Sequence, residues 1–249
     1  MNFKFNNSKY KKPTKVIILG KSGIISTNLQ KELKEQKICF AAYGRPKIDL
    51  RNKNSKKKLL KEIKESKIVV FISSEAPVKN IDMFNNNLKI CKNVCEVLEK
   101  KNIKNLIYIS SDAVYSDSKN KLSEKSELFP NSLHGQMHLT REFILKKKFE
   151  NILCILRPTL IYGFGDTHSG YGPNQFIKLA LKNKKISIFG NGEEERDHIF
   201  IDDLIKIIIK CICRRGAGVL NLASGKVYSF KHIAQSIIKL TKSNSKIKK

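Results

Sequence analysis

Three groups of residues in this 249-residue chain have types and spacings that can do chemistry. Gly20 and Gly23 close the apolar run Val16 to Leu19, and Ile24, Ile25, Leu29 and Leu33 follow at helical spacing. Glycines between a strand and a helix let the backbone approach a pyrophosphate, and the helix N-terminus offers free N–H groups and a positive dipole end. Gly20, Ser22, Gly23 and Ile24 are therefore candidate phosphate-binding positions, with an ordinary tight turn as the competing reading. The second group is small and polar: Ser73-Ser74 and Ser111-Asp112 each follow a short apolar run, where a ligand can pass close to the backbone. The third is His134 and His138, four apart on an expected helix. An imidazole titrates near pH ~6.5 and can exchange protons at neutral pH. Histidines at this spacing can also bind a metal, but Gly-Gln-Met between them lacks the glutamate of H-E-x-x-H and no third ligand is evident, so no metal is expected. Polar residues lining a pocket whose chemistry has decayed are the remaining reading of the pair.

The elements that must position these groups alternate. Strands are expected at Val16–Leu19, Ile38–Tyr43, Ile68–Ile72, Leu106–Ile109 and Ile152–Leu156, with helical patterns between them, as at Met83–Lys100 and Gly135–Lys148. This alternation predicts an α/β fold, a doubly wound parallel sheet, whose ligands bind beyond the C-terminal strand ends. Gly20, Arg45, Ser73 and Ser111 all fall at such ends. An arginine at the end of the second strand can pair with a ribose 2′-phosphate, so Arg45 tilts the dinucleotide from NAD toward NADP; a surface arginine is the alternative. Asp49 and Leu50, just before the basic segment Arg51 to Lys67, complete the candidate cofactor contacts. Three regions are expected: a polar arm over residues 1–14, a dinucleotide-binding domain over 15–165, and a substrate lobe over 166–249 interleaved with the sheet. In the last, glycine-rich loops precede a helix at Phe176–Leu181, strands at Ile186–Phe189 and Val219–Leu222, and helices at Asp202–Cys213 and His232–Leu240.

The formal net charge is +27. The lysines are spread along the chain rather than gathered in a stripe with aromatics, which argues against nucleic acid as the partner and for attraction of anionic small molecules. The six cysteines lack C-x-x-C spacing, and Cys91/Cys95 and Cys211/Cys213 read as small core residues. No stretch is long and apolar enough for a signal peptide or a membrane span, and a reducing, cytoplasmic location is the expectation.

Five stretches in order carry a resemblance: L-G-K-S-G-I-I-S, I-S-S-D-A-V-Y, the Pro130–Glu142 segment, L-R-P-T-L-I-Y-G-F-G-D, and R-D-H-I-F-I-D-D-L followed by G-V-L-N-L-A-S-G. From about Lys15 to Phe230 the chain resembles the extended short-chain dehydrogenase/reductase family, the NAD(P)-dependent nucleotide-sugar epimerases, dehydratases and ketoreductases. The resemblance implies a Rossmann-like fold, hydride transfer at a nucleotide-activated sugar, and a homodimer. It puts Gly20 and Gly23 on the pyrophosphate, with Ser26 where the family has a third glycine, crowding the helix start slightly. Ser111 falls at the catalytic Ser/Thr. Asp112 is followed by Ala113 rather than the glutamate of the 4,6-dehydratases, which disfavours dehydration. His134 and His138 fall at the tyrosine and lysine of Y-x-x-x-K, as proton-exchanging group and ribose ligand. Asn174 and Arg196 resemble contacts to the nucleotide diphosphate, a salt bridge from Arg196 to Asp202 or Asp203 being the alternative; His168 and His198 could line the pocket. Family members carry further C-terminal structure, so the lobe is expected to be incomplete. An epimerase or ketoreductase is the leading expectation, and a non-catalytic NADP-binding module of the same fold the second.

Overall fold

The computed structural model describes residues 2–63, 68–118, 120–166 and 170–249. In chain order its elements are β1 (Lys4–Phe5), β2 (Val16–Leu19), α1 (Ile24–Glu35), β3 (Phe40–Tyr43), α2 (Ser55–Glu62), β4 (Ile68–Phe71), α3 (Ile81–Leu98), β5 (Asn105–Ile109), α4 (Leu133–Phe149), β6 (Leu153–Pro158), β7 (Leu160–Tyr162), α5 (Pro173–Ala180), β8 (Ile186–Ser187), β9 (Glu195–Phe200), α6 (Ile201–Arg214), β10 (Gly216–Leu222), β11 (Val227–Ser229), α7 (Phe230–Thr241) and β12 (Ile247–Lys248). The main sheet runs β1-β10-β6-β5-β4-β2-β3, parallel from β10 to β3 with β1 antiparallel at the edge. Strand β2 pairs with β3 on one side and β4 on the other, so the connections reverse direction there and open a crevice above their C-terminal ends.

Both faces of the sheet are covered, which is why β2, β4 and β5 are apolar without alternation and wholly buried. One face packs against α2, α3 and α4 through Leu59, Val94, Leu98 and Leu145; the other packs against α1 and α6 through Leu29, Leu33, Leu204 and Ile208. A smaller core under α5 and α7 holds Phe176, Ile186, Phe230 and Ala234. The C-terminal region interleaves with the sheet, since β10 pairs in parallel with β6 and α6 covers one face.

Several boundaries differ from expectation. The stretch expected as a polar arm contains strand β1; Phe3, just before it, and Phe5 pack against the buried face beneath α6. The last strand of the main sheet begins at Gly216 rather than Val219, because its glycines are fitted to close neighbours: a Cβ at Gly218 would lie 2.4 Å from the Asn2 carbonyl oxygen, and one at Gly216 would lie 3.2 Å from the Cys211 sulfur. The strand expected over Ile186–Phe189 stops at Ser187, and Phe189 is exposed. Of the basic segment, residues 64–67 lie outside the described residues.

Candidate active site

The turn after β2 delivers the first part of the site. Gly23 is the N-cap of α1 with φ 96°, a conformation that penalises any side chain, and nothing stands within 4 Å of where a Cβ would be. Helix α1 has no side-chain cap and no acidic residue in its first turn, so its leading N–H groups and dipole end remain available to an anion. Ser26 does not crowd this turn. It is fully buried, its hydroxyl donates to the Gly20 carbonyl, and it accepts from Gln30 Nε2 at 3.0 Å, tying the helix to the turn.

Across the crevice, Arg45 is exposed at the end of β3, and its charge acts on the Asp49 carboxyl. Arg51, which sequence reasoning passed over as one basic residue among many, holds both Asp49 oxygens (2.5 to 3.1 Å) and Glu75 at 2.8 Å. Its hydrogen bonds keep the Asp49 carboxyl below the usual carboxylate range. The loop of Ser73, Ser74 and Glu75 is clamped by buried Asn87, which accepts from Glu75 N–H and donates to its carbonyl, both at 3.0 Å. Asn93 holds the Leu50 carbonyl in the same way at 2.8 Å.

The third part joins the end of β5 to the start of α4. Ser111 accepts the Ala113 N–H at 3.1 Å and donates to Asp112 Oδ1 at 3.2 Å. Burial raises the Asp112 carboxyl above its ordinary value, partly offset by the Ser111 hydrogen bond. Helix α4 is capped by Ser132, which accepts the Gly135 N–H, and it comes so close to this turn that a Cβ at Gly135 would lie 1.9 Å from the Ala113 carbonyl oxygen. His134 and His138 follow on one helix face, their rings edge to face at 4.7 Å. Val78 N–H donates to His134 Nδ1 at a long 3.5 Å, and Tyr108 OH lies 2.7 Å from His138 Nδ1. Burial pushes both imidazoles below the ordinary value of 6.5, His138 further because His134 and Arg141 add repulsion. Behind them Glu142 and Arg157 form a fully buried two-point ion pair at 2.6 and 2.9 Å. Glu142 also takes the Ser110 hydroxyl at 2.7 Å, so α4, β5 and β6 are locked together one residue from Ser111.

One cleft of about 870 Å³ collects these parts. Its walls include Gly20, Ser22, Gly23, Ile24, Arg45, Asp49, Leu50, Ser73, Ser74, Ser111, Asp112, His134 and His138.

Residues 16–223 match the model of the NAD dependent epimerase/dehydratase family. The chain belongs to this family. Among curated relatives of this epimerase/dehydratase chain, a dTDP-D-glucose 4,6-dehydratase of Dictyostelium discoideum is 28% identical over 96% of this chain and 57% of its own length. An uncharacterised UDP-glucose epimerase of Bacillus subtilis is 29% identical over 49% of this chain and 39% of its own. The chain thus spans well under two thirds of these relatives. Among solved structures, the Thermus thermophilus UDP-glucose 4-epimerase in complex with NAD superposes with a TM-score of 0.84 at 16% identity, covering 94% of this chain and 85% of that one. The Thermotoga maritima UDP-glucose 4-epimerase with UDP-glucose gives 0.84 at 17% identity with the same coverage. At these identities the likeness is one of fold.

The positions that the resemblance assigns to the substrate are not all in the main cleft. Asn174 lines an adjoining cavity of about 180 Å³ that shares Leu160 and Ile161 with it, and its amide accepts Gly163 N–H and donates to Asp166, both at 2.9 Å. Arg196 lines neither cavity. It forms no bridge to Asp202 or Asp203; its partners are Asp117 and Glu194, each at 2.8 Å, although its charge still acts on Asp112. His198 lines the smaller cavity with Nδ1 3.1 Å from the Arg196 carbonyl. His168 lies outside the described residues. Sequence reasoning missed Arg51, Asn87, Tyr108 and Arg141, whose partners stand on other elements; only Tyr108, directly before the Ile-Ser-Ser motif, carried a positional hint.

Proposed function

We propose that this chain is an NAD(P)-dependent epimerase or ketoreductase that acts on a nucleotide-activated sugar by hydride transfer. The observation that carries the reading is the single cleft in which an uncapped helix N-terminus, the Arg45 cation, the Ser111–Asp112 pair and two neutral histidines meet in a chain of this family. The residues present fit a dinucleotide: open space over Gly23 and the bare start of α1 suit its pyrophosphate, and the exposed Arg45 guanidinium in the cleft wall suits a 2′-phosphate, which favours NADP.

When bound, the nicotinamide supplies a two-electron hydride acceptor and donor. The protein supplies the rest. Ser111 holds the reacting sugar oxygen, and His134, neutral at pH 7, takes its proton on oxidation and returns it on reduction. The Val78 contact biases neutral His134 toward carrying its proton on Nε2, so accepting a proton there requires that long bond to be given up. Asp112, hydrogen-bonded to Ser111 and raised by burial, is a second acceptor on the same side. Asn174 braces the loop at the edge of the sugar pocket. Histidine rather than lysine at position 138, where the resemblance puts the lysine of Y-x-x-x-K, favours the second reading, a module that holds NADP without turnover.

Calorimetric titration with NADPH, NADH and a panel of nucleotide sugars, with nicotinamide absorbance followed, tests the proposal. Binding with an absorbance change for any sugar supports it, and Arg45→Ala then weakens NADPH about tenfold or more while leaving NADH nearly unchanged. Binding without any absorbance change supports the module. His134→Ala leaving turnover untouched removes His134 from the mechanism and passes its role to Asp112.

A further inference from the structure

Tyr108 stands on β5, buried beneath the cleft, with its hydroxyl oxygen 2.7 Å from His138 Nδ1. Register places Phe71 of β4 beside it, and the buried Arg141 guanidinium lies 4.4 Å from the Phe71 ring centroid and 5.5 Å from that of Tyr108. A buried hydroxyl has to place its hydrogen on an acceptor. Among the described residues the Tyr108 hydroxyl is hydrogen-bonded by His138 Nδ1 and Arg141, and since Arg141 only donates, Nδ1 is the acceptor of the two. The Tyr108 hydrogen therefore goes to Nδ1, and Nδ1 carries none of its own. The opposite arrangement, Nδ1–H donating to the phenol oxygen, leaves the phenol hydrogen buried without an acceptor. A cation over the ring face draws charge from the phenol and strengthens it as a donor.

From this contact we infer that Tyr108 is a positioning residue that fixes His138 in the Nε2–H tautomer, so that the fold presents a neutral N–H donor to a ribose hydroxyl of the bound dinucleotide. The ribose half of this inference rests on the proposed function; the tautomer half does not. Burial, with His134 and Arg141 beside it, keeps the His138 ring neutral. The titratable and charged groups around the pair are His134 and Arg141 on α4, Cys91 on α3, and Glu142, which is already committed to Ser110 and Arg157. No carboxylate is paired with the His138 ring among the described residues. The two ring nitrogens thus have separate duties: Nδ1 is held from below by Tyr108, and Nε2–H is the polar group left for the cleft that His138 lines.

The test is nitrogen-15 NMR of the histidine rings in the intact chain without ligand, with His138 identified by the signals lost in His138→Gln. The expected spectrum has an unprotonated, hydrogen-bonded Nδ1 and a protonated Nε2, unchanged between about pH 8 and pH 6. A protonated Nδ1, or a ring averaging between tautomers, overturns the inference, and the wild-type spectrum alone decides this even where a variant fails to fold. In Tyr108→Phe the hydrogen-bond shift at Nδ1 disappears. A double-mutant cycle then reads the function: Tyr108→Phe weakens NADPH binding about five- to tenfold in the wild-type background and less than about twofold in the His138→Gln background. Equal weakening in both backgrounds means the hydroxyl acts through packing, and overturns the positioning role. A correct tautomer with no binding of either dinucleotide strikes the proposed function and the ribose contact while leaving the tautomer assignment in place.

Discussion

Burial at His134 works against the charged ring and leaves a neutral imidazole where the resemblance puts a tyrosine. A group whose value is lowered from 6.5 is deprotonated throughout the neutral range. Under the proposed function, the expected pH profile of kcat/KM for sugar oxidation therefore rises on an acid limb below pH 6.5 and is level from about pH 7 to 8. A limb above pH 7 would instead identify a different proton acceptor. Much of this site was legible residue by residue. Gly20, Gly23, Ser111 and His134 sit in short local motifs whose meaning depends on a strand or helix immediately beside them. Tyr108 and Arg141 were not legible, because their roles arise from stacking between β4, β5 and α4, more than thirty residues apart. For Arg196 it is the alternative bridge to Asp202 or Asp203 that the structure replaces with Asp117 and Glu194. The motif suggested a diphosphate ligand, but the choice among Asp117, Glu194 and Asp202 as partners depends on where three loops end up in space.

For the elements, the contact that matters most is the one between the start of α4 and the Ser111–Val114 turn. Glycine at 135 lets the helix rest against the Ala113 carbonyl, and that distance sets how far His134 stands from Ser111. Gly135→Ala forces the two apart. The expected cost is about 2–3 kcal/mol of stability, from overpacking against backbone that cannot rotate away, with a loss of turnover larger than the loss of stability explains. Denaturant melts beside kcat measurements check this, and an unchanged midpoint would show that the turn yields. The strands of the parallel sheet were readable because each is a short apolar run between turn residues. Their ends were less so: β10 contains two glycines that read as breakers, and only the close approach of Asn2 and Phe3 to Gly218 and of the Cys211 side chain to Gly216 explains why they belong in a strand.

At the scale of the molecule, His134, His138 and His198 are all lowered by burial. Below pH 6.5 the unfolded chain binds more protons than the folded one, so stability rises with pH through this window and falls on acidification. Each such ring removes up to about 1.4 kcal/mol for every pH unit below 6.5, until its folded value is reached. Thermal melts from pH 7 to pH 5 are expected to show a falling Tm, with a shallower slope in His138→Gln; a Tm independent of pH in this range contradicts the buried neutral rings. The excess positive charge acts over longer distances, favouring encounter with phosphate-bearing ligands at low ionic strength.

Strand β1 is only two residues long, yet it pairs with the outer side of β10 at Gly216 and Ala217, and Phe5 is itself covered by Arg214, 4.3 Å from its ring centroid. Without it the first residues of β10, Gly216 and Ala217, would join the rest of that edge in offering unpaired N–H and C=O groups to any passing chain. The N-terminal segment is in this sense a guard against self-association. A chain trimmed to begin at Lys12 is expected to keep its helical circular dichroism while light scattering grows with concentration. If it stays monodisperse, the exposed edge is protected by something other than β1.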